Sequence, residues 1–183
     1  MNIIIIGSST GGPRTIFDIF TDIPVLQAAI IIVQHIPEST TMRFARRLAQ
    51  FSSLEVIVPQ GGEKIKHGCL YITPGNYHLI LKNNEQVILE SSEKVNFVRP
   101  SIDVTMLSLK QNSQHNYTGI ILSGMGVDGS LGLAHLKKIG GTTIIQDPDT
   151  CIIKSMPEAA LRETEVDKIL TPGEIHAFLL STR

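Results

Sequence analysis

Three loops carry the side chains whose types and spacing could do chemistry. The first runs Gly7-Ser8-Ser9-Thr10-Gly11-Gly12, and its G-x-S-x-G spacing sets Ser9 where a nucleophile would stand. A sharp turn from strand to helix presents one hydroxyl, and the glycines keep side chains from colliding beneath it. The helix N-terminus that follows offers unpaired N–H groups to a developing oxyanion. The second loop, Gln34-His35-Ile36-Pro37, leaves another apolar run. In a parallel sheet both strand exits lie on one edge, so His35 comes within reach of Ser9 as a proton acceptor. The third, Ser123-Gly124-Met125-Gly126-Val127-Asp128-Gly129, holds Asp128. A carboxylate there would fix the histidine tautomer and stabilise the imidazolium formed during acyl transfer.

Each motif alone admits a plainer reading. The first hexapeptide also suits an ordinary glycine-rich turn with a serine cap, and a lone histidine is more often a surface or core residue than a base. The third loop has a rival of another class. Gly124-x-Gly126-x-x-Gly129 matches a dinucleotide-binding fingerprint, with Asp147 placed ~20 residues further on, where a ribose-binding acid would sit. Against that, Asp128 would put a carboxylate inside a loop meant to cradle pyrophosphate. A nucleotide-binding or catalytically idle regulatory module of the same α/β fold is therefore the alternative to a hydrolase.

The elements that must position these loops alternate between short β-branched runs and stretches with helical spacing. Strands are expected over 2–6, 28–33, 117–122 and 142–146, and the four successive isoleucines Ile3 to Ile6 suggest burial on both faces, as in a parallel sheet. Helices are expected over 13–20, opened by Pro13, and over 40–51 with Met42, Phe44, Ala45 and Leu48 inward. Further helices fit 102–109, 130–139 and 174–180. Between them, 54–59, 68–73, 78–81 and 87–90 read as short strands broken by Gly61-Gly62, Pro74-Gly75-Asn76 and Asn83-Asn84. The expected fold is α/β and doubly wound: a mainly parallel sheet with helices on both faces and an antiparallel hairpin excursion in the middle.

Composition bounds the function. The 183 residues suit one domain, and 17 acids against 16 Lys and Arg leave a formal charge of −1, too little field for a basic nucleic-acid binder. No apolar run approaches the ~20 residues of a membrane span, and no signal-peptide pattern opens the chain. Cys69 and Cys151 stand far apart in no metal-ligand spacing, which fits a reducing cytoplasm.

Taken together the segments resemble the catalytic domain of the CheB family, the chemotaxis protein-glutamate methylesterases and protein-glutamine glutaminases. The resemblance rests on Ile6-Gly7-Ser8-Ser9-Thr10-Gly11-Gly12, Gln34-His35-Ile36-Pro37, Arg99-Pro100-Ser101-Ile102-Asp103, Gly124-Met125-Gly126-Val127-Asp128-Gly129 and Ser155-Met156-Pro157-Glu158-Ala159-Ala160. It implies a triad of Ser9, His35 and Asp128, with no cofactor and no metal. The substrates it implies are methylated cytoplasmic helices of chemotaxis receptors, without nucleic acid or membrane insertion. Backbone N–H groups of Thr10 and Met125 are the oxyanion candidates. Family members usually carry a receiver domain ahead of the catalytic strand; with that strand opening at Asn2, the expectation is a single catalytic domain over 1–183 without one. Arg14, Met156 and Pro157 are expected to line the cleft. Arg43, Arg46 and Arg47 are expected on one side of a helix, and His67, His78, His115, His135 and His176 in structural or surface roles.

Overall fold

The computed structural model describes residues 1–182. Seven strands, all paired in parallel, form one sheet in the order β3-β4-β2-β1-β7-β8-β9. They are β1 (Asn2–Ser8), β2 (Ala28–Gln34), β3 (Glu55–Ile57), β4 (Cys69–Ile72), β7 (Asn116–Ile121), β8 (Thr142–Gln146) and β9 (Lys168–Leu170). A separate antiparallel pair joins β5 (His78–Lys82) to β6 (Gln86–Glu90). The helices are α1 (Gly12–Phe20), α2 (Glu38–Leu48), α3 (Ile102–Leu107), α4 (Ser130–Lys138), α5 (Ser155–Glu163) and α6 (Pro172–Leu180).

The isoleucine run in β1 explains the layering. Successive strand side chains point to opposite faces. Ile3 and Ile5 therefore enter a core with Ile102, Met106, Leu133, Leu136 and Met156 from α3, α4 and α5. Ile4 and Ile6 enter a second core with Ile16, Phe20, Phe44, Leu48, Ile175 and Leu179 from α1, α2 and α6. Burying such a side chain contributes about 1.5–3 kcal/mol, and a sheet covered on both faces collects that from every residue of its central strands.

Two expectations about the middle and the end of the chain change. The stretches at 54–59 and 68–73 do not belong to the antiparallel excursion: β3 and β4 extend the parallel sheet beyond β2, and only β5 and β6 form the hairpin. Turn residues between short strands carry no information about which partner a strand will find. The helix α5 and the edge strand β9 were not expected: α5 carries only a short apolar stripe of Met156, Ala159 and Ala160, two of them small, and β9 is a largely exposed three-residue strand. In α2 the inward positions are Thr41, Phe44, Ala45 and Leu48; Met42 is 50% exposed. The buried Thr41 hydroxyl accepts the Gly75 N–H at 3.1 Å, so a polar residue takes the place assigned to methionine. Among the described residues no helix is long and apolar enough to cross a membrane.

Candidate active site

From β1 the chain order steps to one side of the sheet as β2 and later returns on the other side as β7. This makes a switch point, and ligands of open α/β sheets bind beyond the carboxyl ends of strands at such a point. The loops after β1, β2 and β7 all open there, and they bring Ser9, His35 and Asp128 to one edge of the sheet.

Buried polar side chains lock these loops together. Gln34, the last residue of β2, accepts the Ser8 hydroxyl at 2.5 Å and donates to the Ser9 carbonyl at 3.0 Å. Ser123 donates its hydroxyl to the Thr10 carbonyl at 2.9 Å and receives the Ile153 N–H at 3.0 Å. Its own N–H goes to Gln146 at the end of β8, and the Ser9 N–H goes back to the Ser123 carbonyl at 3.1 Å. The glycines are required by closeness. A Cβ on Gly124 would collide with Met156 Sδ and lie 2.9 Å from Ser9 Cβ, and one on Gly12 would stand 2.5 Å from Ser8 Cβ. Ser9 is half-buried, whereas Thr10 and Met125 are exposed. Among the described residues neither the Thr10 nor the Met125 backbone N–H has an acceptor, so both remain available to a ligand.

His35 Nε2 lies 2.8 Å from Asp128 Oδ2. A carboxylate accepts, so the imidazole carries its proton on Nε2 and leaves Nδ1 as the basic nitrogen. This is the reverse of the assignment in the familiar serine-protease triad, where Nδ1–H faces the carboxylate. Among the described residues no hydrogen bond joins Ser9 Oγ to His35, and such bonds commonly tighten only when substrate is present.

Asp128 is 3% exposed and is held at five points. Oδ2 also accepts the Ile102 N–H at 2.7 Å, while Oδ1 accepts the Ser101 hydroxyl at 2.7 Å, the Asp103 N–H at 3.2 Å and the Asn96 amide at 3.3 Å. Burial alone would raise its pKa. The hydrogen bonds from His35, Ser101 and Ile102 outweigh that and hold the carboxyl below its ordinary value. Asp128 thus stays ionised, as its proposed role requires. Ser101 is itself fixed, because its N–H donates to His78 Nδ1 at 3.1 Å while His78 Nε2–H donates to the Glu93 carbonyl at 2.9 Å.

Five residues in these contacts, Asn96, Ser101, Ile102, Asp103 and His78, had no part in the site expected from sequence. Asn96, Ser101, Ile102 and Asp103 touch Asp128 directly, and His78 supports Ser101. The segment Arg99 to Asp103 of the family resemblance was a signal for Ser101, Ile102 and Asp103; nothing local marks Asn96 or His78. Met156 and Pro157, expected to line the cleft, are buried beneath it, with the Met156 thioether packed under Gly124. Arg14, in the first turn of α1, lines a hollow with Pro13, Phe17, Asp18 and Arg47. Arg43, Arg46 and Arg47 are exposed on α2, with the Arg47 guanidinium 4.5 Å above the Phe17 ring. In the rival reading Asp147 would bind ribose; here it caps a short 3₁₀ turn by accepting the Asp149 N–H at 3.0 Å.

The model of the CheB methylesterase family matches residues 4–179. The chain belongs to the CheB methylesterase family. Among its relatives, the protein-glutamate methylesterase/protein-glutamine glutaminase of Thermotoga maritima is 40% identical over 177 residues, covering 94% of this chain and 52% of that protein. The protein-glutamate methylesterase/protein-glutamine glutaminase 3 of Rhodopseudomonas palustris is 38% identical over 176 residues, covering 94% of this chain and 48% of that protein. The crystal structure of the Thermotoga maritima CheB methylesterase catalytic domain superimposes with a TM-score of 0.92 at 38% identity, covering 98% of this chain and 97% of that one. This chain therefore spans about half the length of the curated relatives and almost all of the catalytic domain.

Proposed function

We propose that this CheB-family chain is a serine hydrolase that removes methyl groups from glutamate methyl esters on the cytoplasmic helices of chemotaxis receptors, and that deamidates glutamines at such positions. The observation that carries the reading is the 2.8 Å bond from His35 Nε2 to Asp128 Oδ2, formed at the same sheet edge as Ser9 in a family whose named relatives are methylesterases.

In this mechanism Ser9 Oγ attacks the γ-carbonyl carbon while His35 Nδ1 takes its proton. The carbonyl oxygen becomes an oxyanion held by the free N–H groups of Thr10 and Met125. Asp128 stabilises the imidazolium through Nε2–H without itself taking the proton. When the tetrahedral intermediate collapses, the imidazolium protonates the departing oxygen, so methanol leaves rather than methoxide. A water deprotonated by His35 then attacks the acyl-enzyme, and glutamate and Ser9 are released. With a glutamine side chain the same cycle expels ammonia. Each bond broken has its proton supplied by His35, and no redox or metal step is required by the balance.

The test is methanol release from a methylated receptor cytoplasmic fragment by the chain and by Ser9→Ala. Release that falls by roughly 10⁴–10⁶-fold in Ser9→Ala is the expected result, in keeping with other triad nucleophiles. A Ser9→Ala protein that matches the unmodified chain would end the proposal.

A further inference from the structure

The carboxylate that His35 contacts is not alone. Asp103, in the first turn of α3, is 2% exposed, and its carboxylate reaches the other helix. Its Oδ1 accepts the Gly129 N–H at 3.0 Å and the Gly132 N–H at 2.7 Å, both from the start of α4. Asp128, immediately ahead of α4, accepts the Ile102 and Asp103 N–H groups at the start of α3. Two buried anions are therefore crossed over two helix starts. One side chain touches both: the Asn96 amide donates to Asp103 Oδ2 at 3.0 Å and to Asp128 Oδ1 at 3.3 Å. Asn96 belongs to a tight turn closed by the reciprocal Val95 and Val98 backbone bonds, and it holds a left-handed φ of 52°. Backbone of that kind is costly for most residues and tolerated by asparagine.

We propose that the acid member of the CheB-family site is a two-carboxylate unit, in which Asn96 ties Asp128 to Asp103 and both Asn96 and Asp103 act as positioning residues for the His35–Asp128 pair. This deepens the hydrolase reading and rests on it for its kinetic arm. The second charge has a use: an imidazolium forming at His35 meets the field of two carboxylates, one in contact and one behind. Buried like charges repel, and the amide bridge with the two helix starts offsets that repulsion. Burial, with the Asp128 charge adding to it, pushes Asp103 up to about 6, against the Gly132 and Gly129 N–H groups and the Asn96 amide, which favour its charged form. The titratable group facing it from the strand-end loops is Asp128, with His35 on the far side of Asp128. Arg162 and Glu163 of α5 line the same hollow as Asp103 and Asn96, and His78 of β5 stands behind Ser101.

The experiment uses Asn96→Gly, which deletes the amide yet accepts the left-handed backbone, and Asp103→Asn, which removes the charge while keeping an oxygen for the Gly129 and Gly132 N–H groups. Ester hydrolysis by the unmodified chain, tested against Ser9→Ala, first establishes whether the hydrolase reading stands. On that footing Asn96→Gly is expected to lower kcat about tenfold with KM unchanged, the size of one lost charge-assisted hydrogen bond. Asp103→Asn should plateau lower in kcat, with KM unchanged. The second readout needs no turnover: the low-field imidazole N–H resonance of His35 should move in both variants. Folded variants, verified by circular dichroism, that keep the wild-type resonance would overturn the proposal whether or not the chain hydrolyses esters. So would a kcat plateau in Asp103→Asn equal to that of an active wild-type chain.

Discussion

Asp103 and Asp128 each accept backbone N–H groups from the start of the helix that the other residue sits on or leads into. This crossing joins α3 to α4 at the end nearest the candidate site, and it converts two buried anions from a liability into a fixed geometry. Backbone N–H groups hold both carboxylates, with the Ser101 hydroxyl and the Asn96 amide completing the set, and Oδ2 of Asp128 is left pointing at His35.

The geometry makes Asp128→Asn informative. The asparagine keeps the shape but puts an amide where Ile102 N–H and His35 Nε2–H now converge on oxygen. The ring is then driven to the other tautomer, with Nδ1 protonated and unable to act as base. A fall in kcat of about 10⁴-fold with a native circular dichroism spectrum is expected. A loss of less than tenfold, measured by methanol release, would mean that the carboxylate does not orient the base.

Gly124→Ala tests how closely the third loop must approach the nucleophile. Its new Cβ meets Met156 Sδ and Ser9 Cβ, neither of which has free space, since Met156 is fully buried. Overpacking of this kind costs about 1–3 kcal/mol and displaces the loop. Thermal unfolding should register the stability loss, and ester hydrolysis should fall further than stability alone explains. A variant with wild-type Tm and rate would show that the loop relaxes freely.

Met125 separates backbone from side chain. Its side chain is 73% exposed, while the proposed donor is its backbone N–H, which Met125→Ala retains. Its small-ester hydrolysis should stay within about twofold of wild type, as for surface changes of about 0.5 kcal/mol. A loss of a hundredfold or more would assign a direct role to the thioether instead.

Stability should depend on pH through the carboxylate pair, with opposite signs for its two members. Asp103 is raised from 3.8 to about 6 on folding, so its contribution is fully present below its unfolded value and is lost as pH rises through about 6. Asp128 is lowered, so its contribution is present above 3.8 and is lost as pH falls through its folded value. Asp103→Asn should therefore gain Tm relative to wild type at about pH 8, and the gain should shrink by about pH 5. A gain of about 1 kcal/mol corresponds to about 2–4 °C for a chain of this size. A Tm difference that is flat between the two pH values would show that Asp103 does not titrate in that range.

The sequence by itself determined the alternation of strand and helix, the two-sided burial of Ile3 to Ile6, and the three loops that carry Ser9, His35 and Asp128. Those features are local: burial on both faces needs only an unbroken apolar run, and a nucleophile turn needs only its glycines. Tertiary structure alone decided which partners distant segments found. It put β3 and β4 in the main sheet, sank Met156 beneath Gly124, and made Nε2 rather than Nδ1 the nitrogen of His35 that meets Asp128. It also brought Asn96, Ser101 and Asp103 onto a carboxylate more than twenty positions away. No local pattern encodes that meeting, because the hydrogen bonds form only after α3 packs against α4 and their starts face one another.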